Sequence, residues 1–143
     1  MFVEQIRRLK ASGDPSGLDR ICPYAAVVGL SCRRESTGLV TVLAARDSNI
    51  GNTTLRAVHG GVLGALLEHA AIMQLLWELE PEHMPKIVNL SVDYLRPASG
   101  ERETYAHAVV VKHGRRVANV RVEAWQEERA RAVVAGHAHF VLG

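Results

Sequence analysis

"HGGVLGALLEHAAIMQLLWEL", His59 to Leu79, decides the fold. Apolar residues fall on almost every side of it, which marks a helix buried by the rest of the chain rather than one lying on a surface. Pro81 and Pro85 follow, and beyond them the period changes from helical to alternating. In "KIVNLSVDYLRP", Val88, Leu90, Val92 and Tyr94 share one face, and Asn89, Ser91 and Asp93 share the other. Pro97 ends that strand. "TYAHAVVVKHGRRVANVRVEAW" is two strands about a His113-Gly114 turn, with Ala118, Val120, Val122 and Ala124 facing inward in the second. A last strand, Ala130 to Leu142, follows the tight turn "QEER".

On the N-terminal side of the helix, Tyr24 to Glu35 and Leu39 to Arg46 read as two strands joined at "ESTG", with Gly38 placed for a positive φ. "DSNIGNTTLRA" then reads as a polar loop, of a length that usually carries function. Phe2, Ile6 and Leu9 stand at helical spacing over Phe2 to Ser12, a short helix closed by "SGDPSG" and placed to brace the main body. Two strands, one long apolar helix, then four strands make an α+β fold. The expectation is a single domain over 1–143. An antiparallel sheet of about six strands wraps one central helix (about 59–79), with a short N-terminal helix attached.

The 143 residues are 48% apolar and 22% charged, ordinary for a globular domain with a real core. A net charge of +2 is too small to make nucleic acid or an anionic membrane the main partner. "MFVEQIRRLK" mixes charge with apolar residues and does not read as a secretion signal. His59, Glu68, His69, Gln74 and Glu78 interrupt the central helix before it becomes a membrane span. Cys22 and Cys32 lack metal-ligand or CxxC spacing and read as free buried thiols, so a cytoplasmic protein is expected.

Glu68 is the anomaly in the helix. A carboxylate among apolar neighbours costs several kcal/mol unless it is paired or used. At ~100° per residue, Gly61, Gly64 and Ala65 fall within about 60° of it on one side, and Ala71, Ile72 and Leu75 on the other. The small residues leave room for a ligand or another backbone. Two readings stand level: a reactive carboxylate, or one paired with an arginine of the sheet.

The helix start offers the complementary group. The first N–H groups after His59 lack helical partners and carry the positive end of the dipole, and Gly60 and Gly61 keep side chains out of the way. Such an end stabilises a developing oxyanion. Gly60 and Glu68 are eight residues apart, about 12 Å along the axis, whereas a working contact is about 3 Å. If both act on one carbonyl they come from two chains, which predicts a site at a dimer interface. His59 is roughly 180° around the helix from Glu68, so it fixes the loop rather than pairing with the acid. His69 also points away. His137 and His139 alternate on one strand face as two metal ligands could, but no third ligand accompanies them, and no metal is expected.

"GNTTLRAVHGGVLGALLEHAA", then "VNLSVDYLRPA", then "GRRVANVRVEAW" resemble the hotdog-fold acyl-CoA thioesterases of the phenylacetic-acid-degradation (PaaI-like) type, over about Tyr24 to the end. The HGG segment with an acid nine positions past the His carries the likeness, supported by the order of elements. The resemblance implies that Glu68 is general base or nucleophile on the thioester, and that Gly60 offers its N–H to the thioester carbonyl across a dimer. Many members carry Asn or Gln six residues before the His. That position is Thr53 here and Asn52 is one residue further back, so Asn52 takes the role if the loop differs by one residue. A family Ser or Thr early in the next strand corresponds to Ile87, a departure.

The implied reaction is hydrolysis of an acyl-CoA to acid and CoA, with no cofactor. His59 and Gly61 would line the substrate cleft, Ile72 and Leu75 the acyl pocket, and Arg96, Arg115 and Arg116 would meet the phosphates of CoA. A homo-oligomer, a dimer or a dimer of dimers, follows from the same resemblance. Two rivals remain: an acyl-CoA-binding hotdog protein without turnover, and a hotdog hydratase or dehydratase. The acyl group is not specified by the chain.

Overall fold

A computed structural model describes residues 1–36 and 38–143. The central helix, α3, runs Gly60–Leu79, preceded by α1 (Phe2–Ser12) and the short α2 (Tyr24–Val28). The strands are β1 (Leu30–Glu35), β2 (Gly38–Leu43), β3 (Ile50–Asn52), β4 (Ala57–Val58), β5 (Lys86–Tyr94), β6 (Thr104–His113), β7 (Val117–Trp125) and β8 (Val134–Val141). Six of them form one antiparallel sheet in the order β1-β2-β6-β7-β8-β5, and α3 contacts every strand of it. The helix is therefore wrapped, as the sequence pattern requires. Although α3 is long and apolar enough to cross a bilayer, it is the core helix of this sheet.

The alternation in β7 and β8 sets the core face. Ala118, Val120, Val122 and Ala124 are fully buried, and Ala138 and Phe140 lie opposite Val120 and Ala118. At Gly136 a Cβ would sit 2.9 Å from the Ser91 carbonyl oxygen and 3.0 Å from Leu67 Cδ1, so only glycine lets α3 come this close to the sheet. Ile6 of α1 and Leu18 are also fully buried. Each such side chain contributes about 1.5–3 kcal/mol by leaving water. The N-terminal segment thus belongs to the core. It is fastened at the far end of α3, where Arg7 Nε and Lys10 Nζ donate to Glu80 at 2.8 and 2.7 Å.

Several expectations need correction. Tyr24 to Val28 is helical, not extended. Pro23 caps this short helix, Gly29 closes it in the left-handed region (φ 90), and Ala25 and Val28 are its buried side. The strand to Glu35 therefore begins at Leu30. Gly38 has the expected positive φ of 118, while Thr37 of the same turn lies outside the described residues. "SGDPSG" leads into a 3-10 helix, Pro15–Ile21, capped by Asp14. The supposed polar loop is a 3-10 turn, Asp47–Asn49, followed by the β3–β4 hairpin. The last strand starts at Val134, not Ala130. In β5 a bulge between Ile87 and Asn89 breaks the alternation, so Val88 is 62% exposed while Ile87 packs on the core.

Candidate active site at the start of the central helix

His59 is the N-cap of α3. Its Nδ1 accepts from the Gly61 N–H at 2.9 Å, and its own N–H donates to the Asn49 carbonyl at 2.8 Å. Asn49 is buried, its Nδ2 donating to the Val28 carbonyl at 2.8 Å. This asparagine, which sequence reasoning missed, ties the cap to the end of α2. His59 is thus occupied in holding the helix start. Gly60 follows with an N–H that has no hydrogen-bond partner among the described residues. Its carbonyl accepts from Tyr94 Oη at 2.8 Å, and a Cβ on Gly60 would meet the Tyr94 ring at 3.3 Å.

A cleft of about 470 Å³ opens at this amide, walled by Val58, Leu63, Tyr94 and the Leu95–Ala98 segment. The β3–β4 hairpin forms one side of it. Ala57 bridges Ser99, the Val58 N–H donates to the Ala98 carbonyl at 2.9 Å, and the Gly100 N–H to that of Arg56 at 2.8 Å. Asn52 sits in this hairpin, exposed. Its Oδ1 accepts from the Thr54 and Leu55 N–H groups at 3.0 and 2.9 Å, so that oxygen is committed to shaping the turn.

Glu68 is half-buried on α3, and among the described residues no cation or hydrogen-bond donor pairs with it. The reading that an arginine of the sheet neutralises it does not hold within one chain. Burial pushes its carboxyl above the ordinary value, partly offset by neighbouring His69. The residues flanking it on this side of α3, Gly61, Gly64 and Ala65, are only partly covered or exposed, and a Cβ on Gly64 would meet nothing within 4 Å. Further along, Ile72 is 8% exposed and Leu75 is fully buried in the chain's own core. Leu75 therefore offers no surface to a ligand, a correction to its expected place in an acyl pocket.

The three arginines separate. Arg96 lines the cleft beside Gly60, its Nη1 donating to the Ala132 carbonyl at 2.8 Å. Arg115 lines a different depression with Leu79 and Pro81, at the other end of α3. A helix from Gly60 to Leu79 is about 30 Å long, so Arg115 lies well apart from Arg96 within one chain.

His69 proves to be buried, its Nε2 2.9 Å from Asp19 Oδ1. The other Asp19 oxygen accepts the Cys32 N–H at 2.8 Å, and Cys32 Sγ lies 3.4 Å from Thr41 Oγ1. Among the described residues, Asp19, Cys32 and His69 are the one trio of potential metal ligands drawn together, not a set built on His137 and His139. Their polar atoms satisfy one another, and burial pushes the Cys32 thiol far up, so the trio reads as a polar staple. Both cysteines are free, Cys32 buried and Cys22 partly so.

Residues 55–133, more than half of the chain, match the family model of the thioesterase superfamily. The chain belongs to that superfamily. Its antiparallel sheet around one helix is the hotdog fold. A solved structure from Chromobacterium violaceum is 33% identical, with a TM-score of 0.78, over 98% of this chain and 97% of that one. A phenylacetic acid degradation-related protein from Ralstonia eutropha is 27% identical over 84% of this chain and 89% of that one, with a TM-score of 0.73. A Bacillus halodurans protein solved with CoA has the same fold at 21% identity and a TM-score of 0.73, over 84% of this chain and 78% of that one. Comparison with curated proteins returns no match.

Proposed function

We propose that this hotdog thioesterase hydrolyses acyl-CoA thioesters at a site shared by two copies of the chain. One observation carries the reading: among the described residues the amide of Gly60, which lines a cleft, and the half-buried carboxylate of Glu68 both lack a partner, and Glu68 lies too far along the same helix to reach that amide. Two chains resolve the separation, Gly60 of one facing Glu68 of the other. The open stripe of small residues around Glu68 supports a second copy. So does β5, a long strand at the edge of the sheet among the described residues, whose Val88 is exposed. The CoA bound to the Bacillus halodurans relative supports the substrate class.

In this arrangement the Gly60 N–H and the helix dipole stabilise the charge that builds on the thioester oxygen. Glu68 takes the proton of an attacking water, or attacks the carbonyl carbon itself to give an anhydride that water opens. The C–S bond breaks, the thiolate of CoA takes a proton, and the acid is released. Both routes need ionised Glu68, and burial makes it a stronger base than an exposed glutamate. Cytoplasmic acyl-CoA is the expected pool.

Thiol release from acyl-CoAs of varied length and aromaticity, for wild type and Glu68→Gln, tests this. Turnover that falls at least about 100-fold in the variant supports the assignment. Release of no thiol by folded wild type, or equal activity in the variant, overturns it. Tm shifts with acyl-CoA but no turnover would indicate a binding protein, and conversion of an enoyl-CoA without CoA release a hydratase.

A further inference from the structure

Arg96 and Pro97 also line a second cavity, of about 220 Å³, on the other side of the segment that leads from β5 to β6. Arg102 and Arg131 complete its basic lining, with Gln126, Glu127 and Glu128 beside them. Gln126 is locked in place, its Oε1 accepting the Ser99 N–H and its Nε2 donating to the Ser99 carbonyl and Thr104 Oγ1. That amide holds the floor rigid.

The three guanidiniums are in different states. Arg102 is ion-paired with Glu127. Arg96 spends one nitrogen on the Ala132 carbonyl. The Arg131 side chain has no partner among the described residues. Three arginines against two carboxylates leave net positive charge, and the planar fork of each suits bidentate contact with phosphate oxygens. An exposed pair such as Arg102–Glu127 contributes little, so an incoming dianion can draw Arg102 away.

We infer that this cavity, which shares Arg96 and Pro97 with the wall of the thioester cleft, binds the phosphates at the nucleotide end of the substrate through Arg96, Arg102 and Arg131. The inference rests on the thioesterase reading above and replaces Arg115 and Arg116 as the phosphate contacts. It makes the protein select a thioester of CoA over one carried on pantetheine alone. The pantetheine arm would pass over Arg96 and Pro97, with the thioester at Gly60 and the adenosine phosphates in the arginine cavity.

The test compares kcat/KM for one acyl group carried on CoA, on 3′-dephospho-CoA and on pantetheine, in wild type, Arg102→Ala, Arg131→Ala and the Arg115→Ala/Arg116→Ala double variant. Wild type is expected to favour CoA over pantetheine at least about tenfold. That ratio should fall severalfold, through KM, in the first two variants and hold in the third. A wild-type ratio near one, or a ratio unchanged by Arg102→Ala and Arg131→Ala, overturns the inference while leaving hydrolysis intact. Calorimetric titration with adenosine 3′,5′-bisphosphate keeps the question separate from turnover. Binding that weakens at least about tenfold in Arg131→Ala, and with added salt, supports the subsite even if no thiol is released. Absent binding, or binding that Arg131→Ala leaves unchanged, overturns it.

Discussion

The His59 imidazole accepts the Gly61 amide hydrogen at 2.9 Å, which leaves Nδ1 without a proton and turns the ring edge toward the first turn of α3. The histidine at the start of α3 thereby does the work of a capping serine or asparagine. His59→Ala should cost about 1 kcal/mol, and His59→Asn should restore most of it. Urea unfolding of the two variants checks this; an alanine variant as stable as wild type would refute the capping role.

Gly60 permits an unusually clean removal of one donor. It occupies the first helical position, where proline is tolerated, and His59 before it has φ −59 and ψ 134, the extended geometry that proline demands of its predecessor. Gly60→Pro should therefore fold and lower kcat about 100- to 1000-fold, the usual loss for one oxyanion donor. Gly60→Ala keeps the amide and adds only a tight contact with Tyr94. Near-equal kcat for Gly60→Pro and Gly60→Ala would show that the amide does not touch the reacting oxygen.

A site shared between chains makes a mixing prediction. Gly60→Pro and Glu68→Gln homodimers each lack one half of both sites. Random exchange makes half the dimers mixed, each with one intact site of two, so about a quarter of wild-type activity should return. A site contained in one chain would stay dead in the mixture.

Burial of Glu68 has a sign for pH. A carboxyl raised in the folded state above its unfolded value of about 4.5 favours folding below that pH and loses the contribution as pH rises through the folded value. Glu68→Gln should then be at least as stable as wild type at neutral pH, with the advantage vanishing in acid. The acid limb of kcat in wild type should lie above the ordinary glutamate range. Melting curves and rates across pH 4–8 decide both, and a variant less stable at pH 7 than at pH 4 relative to wild type contradicts the first.

The buried contact of His69 with Asp19 predicts a large mechanical effect away from the reaction. Asp19→Ala strands both the imidazole and the Cys32 amide, which should cost about 3 kcal/mol in urea unfolding. A loss below about 1 kcal/mol would mean that water replaces the carboxylate.

The parts of the molecule that were legible beforehand are those whose period is set by one wrapped helix and one sheet. In β7 every inward residue was assigned by alternation, because its register with β8 runs unbroken from Val117 to Ala124. Val88 was misplaced because a bulge adds a residue without leaving a compositional mark. Tyr24 to Val28 misled for a different reason: a five-residue helix has too little length to show a period, and its Val and Tyr content favours extended chain. Pro23 and Gly29 were the available signal, one capping the start and the other ending it. At the site, Gly60 and Glu68 stood out because glycine at a helix start and a lone acid in an apolar helix are local anomalies. Asn49, Arg102, Arg131 and the Asp19–Cys32–His69 staple were illegible because each gains meaning only from residues distant in sequence.

The match to the superfamily begins at residue 55, yet Ile6 and Leu18 are among the most buried side chains, and Asp19 reaches the middle of α3. Anyone trimming the protein to its recognisable portion would remove part of its interior. A shortened version starting at β1 should be insoluble or need a replacement segment, whereas an affinity tag joined at the exposed Met1 should be harmless. For domain grafting, the transferable unit must include Ile6, Leu18 and Asp19 along with the matched residues.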